Sequence, residues 1–132
     1  MIVGIDLDGT ISKAGFYNPS LRLPWWLFVV LVPLVLLIVP DKKAVGKLKE
    51  MKIRGHRIII ISARPPWATA ITIKWLKFHK VPLDEVFCIG FGKGTRNRKL
   101  EVIKREKIEC FFDDNKKLVD FLNRNSVMAT RL

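Results

Sequence analysis

Apolar and polar residues fall along this chain in short blocks whose period keeps changing. Met1 to Ile5 is a β-type run that ends at Asp6. Lys13 to Leu21 reads as loop, with Gly15, Asn18 and Pro19. Ala44, Val45, Leu48 and Met51 recur at helical spacing, with Lys42, Lys43, Lys47, Lys49 and Lys52 between them. Asp41 is the expected N-cap and Gly55 the stop. Ile58 to Ile61 is too short for a helix and suits a strand buried on both faces. After Pro65 and Pro66 a second helix is expected, its inner face marked by Ala68, Ile71, Trp75, Leu76 and Phe78 and its end by Val81-Pro82. Val86 to Ile89 is a third strand, Gly90 to Arg98 a glycine- and base-rich loop, and Leu100 to Lys107 a helix. Glu109 to Phe112 is a fourth strand, Leu118, Phe121 and Leu122 mark another helix, and Ser126 to Thr130 closes the series.

Strands that alternate with helices predict a three-layer, doubly wound α/β domain with a mostly parallel five-stranded sheet. The length of 132 residues suits a single domain over 1–132. One stretch breaks the pattern. Leu23 to Pro40 is an 18-residue window with 15 apolar residues, three prolines and no charge. It is expected to be a short hydrophobic insert, and without it the composition is that of an ordinary soluble domain.

Charge changes the picture next. Twenty-four Lys and Arg against 12 Asp and Glu give a net charge of +12. Such a surface attracts polyanions: nucleic acid, anionic lipid headgroups or phosphorylated substrates. Cys88 and Cys110 each sit in a strand-like run, where buried, reduced thiols are the default. Asp6 and Asp8 interrupt the N-terminus, and the apolar window begins too late for a secretory leader. A cytoplasmic location is the expectation, with a peripheral place on the cytoplasmic membrane face as its variant.

Ligands of open α/β sheets bind beyond the C-terminal ends of the strands. Asp6 with Asp8, Ser62, and Asp113 with Asp114 all stand at such ends. Carboxylates converging there repel one another, and a hard cation such as Mg²⁺ relieves that repulsion. For any one Asp a loop cap explains as much; for all of them together it does not.

The run Ile5-Asp6-Leu7-Asp8-Gly9-Thr10 resembles the first motif of the haloacid-dehalogenase-like phosphohydrolase superfamily. Ser62 at the end of an isoleucine strand and Asp113-Asp114 at the end of another are similar to its second and fourth motifs. The resemblance covers most of the chain apart from the insert. It implies that Asp6 attacks phosphorus to give an aspartyl-phosphate and that Asp8 protonates the leaving oxygen and later activates water. It implies Mg²⁺ held by Asp6, the Asp8 carbonyl and Asp113, with Asp114 on a metal-bound water. Thr10 would offer a hydroxyl or N–H, and Ser62 a hydrogen bond, to the phosphoryl group. The third motif is a lysine: Lys99, which would open a helix 14 residues before Asp113, with Lys93 and Lys104 as rivals.

A looser resemblance, to the polynucleotide 3′-phosphatase and nucleotidase branch, rests on three stretches. They are Ser62-Ala63-Arg64-Pro65, Thr72 to Pro82, and Gly94-Thr95-Arg96. It implies phosphate or nucleic-acid contacts for Arg64 and Arg96, although both could equally be surface residues. His56 and His79 lack metal-type spacing, and Trp67 and Trp75 are expected to pack on the sheet.

The insert at 23–40 falls where that superfamily places a cap. A spanning helix needs roughly 20 apolar residues. A single span would also put Asp6 and Asp113 on opposite sides of the bilayer. Three readings stay open: an interfacial or re-entrant membrane anchor, a homo-oligomer contact, and a helix packed on the domain. Trp25, Trp26, Arg22, Lys42 and Lys43 suit the first. For the whole chain, the alternative to a phosphatase is a non-catalytic basic module that binds anionic membrane or nucleic acid.

Overall fold

The computed structural model describes residues 1–7, 10–11, 39–90 and 92–131. Its strands are β1 (Ile2–Asp6), β2 (Arg57–Ser62), β3 (Glu85–Cys88), β4 (Cys110–Phe112) and β5 (Met128–Thr130). Its helices are α1 (Lys42–Ile53), α2 (Thr69–Phe78), α3 (Thr95–Arg105) and α4 (Lys116–Arg124), and a 3₁₀ turn at Pro66–Ala68 leads into α2. The strands form one sheet in the order β3-β2-β1-β4-β5, and every pairing is parallel. This is the three-layer α/β architecture that the alternating pattern predicts.

The four isoleucines of β2 explain the layers. Ile58 and Ile60 join Ile5, Val45, Leu48, Trp75 and Leu76 on the face covered by α1 and α2. Ile59 and Ile61 join Phe111, Val102, Ile103, Leu118 and Leu122 on the face covered by α3 and α4. Side chains alternate along a strand, so a run apolar at every position needs cover on both faces. In β1, Gly4 permits the close approach of β4: a Cβ there would stand 2.6 Å from Phe111 Cδ2.

Asp41 caps α1 as predicted, accepting from the N–H groups of Lys43 (2.8 Å) and Ala44 (3.3 Å). The Asp41 N–H donates to the Ile11 carbonyl at 2.7 Å, and the Ile11 N–H to that of Leu7 at 2.9 Å. Chain that departs after Ile11 therefore returns to the same place. Apart from Val39 and Pro40, the insert at 23–40 lies outside the described residues, and so do its anchor, oligomer and packed-helix readings. No helix among the described residues is long and apolar enough to cross a membrane.

Several expectations need correction. Helix α3 begins at Thr95, not Leu100, so most of the presumed loop's basic end is helical. Its first turn carries Thr95, Arg96, Asn97 and Arg98, none of which packs in the core, so the apolar period starts late. Phe78 is exposed, because it ends α2 past the turn that meets the sheet; buried Thr72 takes up the inner face instead. Trp75 packs on the sheet but Trp67, on the 3₁₀ turn, is exposed. Cys88 and Cys110 are free thiols, half-buried rather than buried.

Candidate active site

Strand register assembles the site. Ile5 pairs with Phe112, so Asp6 and Asp113 leave their strands side by side. Asp6 pairs with Ile61, which puts Ser62 one step further out on the other flank. From β1 the chain moves to β2 and β3 on one side and then returns to β4 on the other. The split between β1 and β4 is the switch point at which open α/β sheets bind ligands.

Lys99 closes the group. It sits in the second turn of α3 rather than opening the helix, because the helix starts at Thr95. Its Nζ donates to Asp6 Oδ1 at 2.7 Å and to Asp113 Oδ2 at 3.0 Å, and all three residues are buried. Burial alone pulls the Lys99 pKa down, but the charges of Asp6 and Asp113 and their hydrogen bonds together outweigh it and hold it above the ordinary lysine range. The rivals Lys93 and Lys104 are exposed.

Asp113 Oδ1 accepts from the Asn115 N–H at 2.9 Å. The Asn115 side chain in turn caps α4, accepting from Lys117 N–H (3.0 Å) and Leu118 N–H (3.3 Å). Asp113 is thereby tied to the first turn of a helix. Partial desolvation, then a hydrogen bond and the charge of neighbouring Asp113, raise the Asp114 pKa against the opposing pull of Lys99.

Asp6, Asp113 and Asp114 each offer an oxygen, and these atoms lie within 4.8 Å of one another. The donors are all hard oxygens at an open edge, which fits Mg²⁺ and not a thiolate- or imidazole-seeking metal. The cleft above them, about 570 Å³, is lined by Ala63, Thr95, Arg96, Asn115 and Lys117 besides the acids and Lys99.

The other predicted site residues divide. Arg96 lines the cleft, its guanidinium 5.0 Å above the ring of Phe121. Ser62 is buried, and its Oγ accepts from the Arg64 N–H at 3.1 Å. Arg64 is buried too, with Nη1 donating to Thr72 Oγ1 at 3.2 Å, and Ala63 stands in the cleft wall in its place. Thr10 is buried, and its Oγ1 has no hydrogen-bond partner among the described residues. Asp8 lies outside the described residues.

Sequence reading missed Arg98, Asn115 and Lys117. Arg98 donates to the carbonyls of Ile89 (2.9 Å), Lys93 (3.0 Å) and Gly90 (3.2 Å), and so ties the loop after β3 to α3. Nothing in a basic loop separates such an arginine from its solvated neighbours. Asn115 could have been found, since Asn directly before a helical period is an N-cap signature.

The fold is similar to that of haloacid-dehalogenase-like domains. No protein-family model matches it. It is 24% identical over 143 residues to the Putative nucleotidase YqfW of Bacillus subtilis (strain 168), across 86% of this chain and 69% of the relative. A chain of the Pnkp1/Rnl/Hen1 RNA repair complex has a TM-score of 0.73 and 19% identity over 99% of this chain, which spans only 42% of that one. The HAD domain of the Legionella pneumophila effector Lem4 has a TM-score of 0.56 at 16% identity, over 99% of this chain and 84% of that one. The D,D-heptose 1.7-bisphosphate phosphatase from B. bronchiseptica, crystallised with magnesium and phosphate, reaches 0.63 at 8% identity, over 97% and 78%. The structural likenesses show the fold, and together with the nucleotidase relative they support the reading of the chain as a phosphoric monoester hydrolase.

Proposed function

We propose that this chain is a Mg²⁺-dependent phosphomonoesterase that works through an aspartyl-phosphate. The observation that carries the reading is the buried Asp6–Lys99–Asp113 network beside Asp114 at the switch point of the sheet. Burying three charged groups costs several kcal/mol per ion before pairing, and apolar residues would stabilise a core as well or better. Such a cluster at a ligand-binding edge is better explained by chemistry than by packing.

Asp6 is the nucleophile. Its carboxylate attacks phosphorus, the bond to the ester oxygen breaks, and the leaving oxygen takes a proton from Asp8. Asp8, now ionised, takes a proton from water; the water attacks phosphorus, the bond to Asp6 breaks and phosphate leaves. Lys99 offsets the negative charge that accumulates on Asp6 and the phosphoryl group. Asp6, Asp113 and Asp114 would hold Mg²⁺, which screens the substrate's charge when bound. Ser62 and Thr10 supply hydroxyls within or next to the site. The substrate is a nucleotide, a nucleic-acid end or a phosphate displayed at a membrane.

Hydrolysis of p-nitrophenyl phosphate with and without Mg²⁺ tests the mechanism. Asp6→Asn removes the nucleophile with little change in shape, and we expect turnover to fall by at least about 10³-fold, a loss of roughly 4 kcal/mol of barrier stabilisation. Undiminished turnover by that variant defeats the mechanism. A wild-type protein with no Mg²⁺-dependent hydrolysis on any phosphomonoester favours the non-catalytic basic module instead.

A further inference from the structure

We propose that Arg98 is a positioning residue: it pins the first turn of α3 to the loops after β2 and β3, and so sets the reach of Lys99 to Asp6 and Asp113. The inference rests on the phosphomonoesterase reading and adds to it the part that holds its cation in place.

Helix α3 starts poorly on its own. No side chain caps it, whereas Asp41 caps α1 and Asn115 caps α4. Its first turn has no acid and carries Arg96 and Arg98, an arrangement that the helix dipole disfavours. The first N–H groups of a helix lack intrahelical partners, and an uncapped end frays. Lys99 is the fifth residue of α3, so fraying of the first turn reaches it directly.

Arg98 supplies the missing restraint. Its half-buried guanidinium donates through Nε to the Ile89 carbonyl (2.9 Å) and through Nη1 to that of Lys93 (3.0 Å). Through Nη2 it donates to the Gly90 carbonyl and to Thr95 Oγ1, both at 3.2 Å. Charge-assisted bonds are stronger than neutral ones, and several from one planar fork fix direction as well as distance. The loop is shaped around this group. Gly94 has a φ of +85°, and a Cβ there would stand 3.3 Å from Arg98 Nη1.

The far side of the anchor is tied to the core. The Ile89 N–H donates to the Ser62 carbonyl and the Gly90 N–H to the Arg64 carbonyl, each at 2.9 Å. Ile89 and Gly90 thus stand between the end of β2 and Arg98, with the N–H used on one side and the carbonyl on the other. Strand β2 pairs with β1, which carries Asp6. A continuous run of bonds therefore joins the strands that carry Asp6 and Ser62 to the turn that carries Lys99. The bonds from Lys99 to Asp6 and Asp113 close the circuit. A lysine stem is flexible, so its ammonium is only as well placed as the backbone beneath it. A misplacement of about 1 Å at such a group can cost on the order of 10²-fold in rate.

The test measures kcat and KM on p-nitrophenyl phosphate with Mg²⁺ for wild type, Arg98→Met, Arg98→Lys and Asp84→Asn. The last is a control that weakens the opposite edge of the sheet. We expect Arg98→Met to lower kcat about 10- to 100-fold with KM within about twofold, because Lys99 acts on charge that develops in the transition state. Arg98→Lys keeps the charge but not the fork, and should recover part of the loss. Asp84→Asn should keep the wild-type kcat. A wild-type kcat in Arg98→Met, or a loss carried by KM alone, overturns the proposal and leaves the phosphatase reading intact. An equal fall in Asp84→Asn also overturns it, as a general loss of stability. Should Arg98→Met not fold, Arg98→Lys decides: a kcat at least about threefold below wild type supports the proposal, and a wild-type kcat ends it. Amide hydrogen exchange reads the same restraint without turnover. In Arg98→Met the amides of Lys99 and Leu100 should exchange at least about tenfold faster, with those of Val102 to Arg105 within about twofold of wild type. If wild type hydrolyses nothing, the phosphatase reading falls and exchange alone decides the role of Arg98. Equal exchange, or a uniform rise along the whole helix, ends it.

Discussion

The two ends of the sheet treat charge in opposite ways. At the C-terminal edge of the strands, Asp6, Lys99 and Asp113 are buried and share one lysine between two carboxylates. At the N-terminal edge, charges are paired one to one and stand partly in water. Lys52 bonds Asp84 at 2.6 Å with side chains 42% and 30% exposed, and Arg57 pairs with Glu85. Coulomb energies grow as the effective dielectric falls, and so does the cost of taking ions from water. The buried edge therefore holds strong, expensive interactions that fix the relative positions of Asp6, Lys99 and Asp113. The solvated edge holds weak, cheap ones that clip strand ends together.

Removing the central cation is the largest test of this contrast. Lys99→Met keeps the length of the side chain but leaves two buried carboxylates facing each other. We expect a loss of about 3–5 kcal/mol in urea unfolding at neutral pH. Activity should fall as well, through the charge on Asp6. A loss under about 1 kcal/mol would put Lys99 in the same class as the exposed pairs and erase the distinction between the edges.

The solvated edge has one member of intermediate weight. Asp84 accepts from Lys52 through both oxygens and from the Ile58 N–H at 2.8 Å, which ties the start of β2 to the segment before β3. Desolvation raises its pKa, but the Lys52 and Ile58 hydrogen bonds and the charges of Lys52 and Arg57 together hold it below the ordinary value of 3.8. A lowered folded-state pKa gives stability that is present above the unfolded value and lost as pH falls through the folded one. Asp84→Asn should cost about 1 kcal/mol at pH 7. Stability measured against pH should show that deficit shrinking below pH 3.8. A deficit that stays constant into acid would mean that the carboxylate's charge contributes nothing.

How far the sequence reveals the two edges follows from the same physics. The five strands and their faces were legible because burial on both sides demands unbroken apolar runs, as in Ile58 to Ile61. The candidate site at the C-terminal edge was legible because Asp6, Ser62 and Asp113 all stop such runs with a polar residue. Lys99 could be named by its distance from Asp113, but its place in the second turn could not. The first turn of α3 faces the cleft and solvent and has no apolar period. Trp67 and Phe78 were misjudged because size alone does not say which way a residue at the end of an element points. The bonds of Arg98 and the stacking of Arg96 on Phe121 depend on contacts between α3, α4 and the loop after β3, and no local pattern encodes them.

The smallest expected effect is at the far corner of the solvated edge. Arg57 and Glu85 begin neighbouring strands, with Ile59 and Glu85 in register, and their side chains are 46% and 39% exposed. Water and salt screen such a pair, and ordering two long side chains offsets much of the attraction. Arg57→Gln should change unfolding free energy by no more than about 0.5 kcal/mol, and the difference should vanish as ionic strength rises from about 0.05 to 1 M. A salt-resistant loss above 1 kcal/mol would show that this corner is shielded from solvent like the Lys99 cluster. Charge placement in the fold would then follow distance from the sheet centre, and not which end of the strands binds ligand.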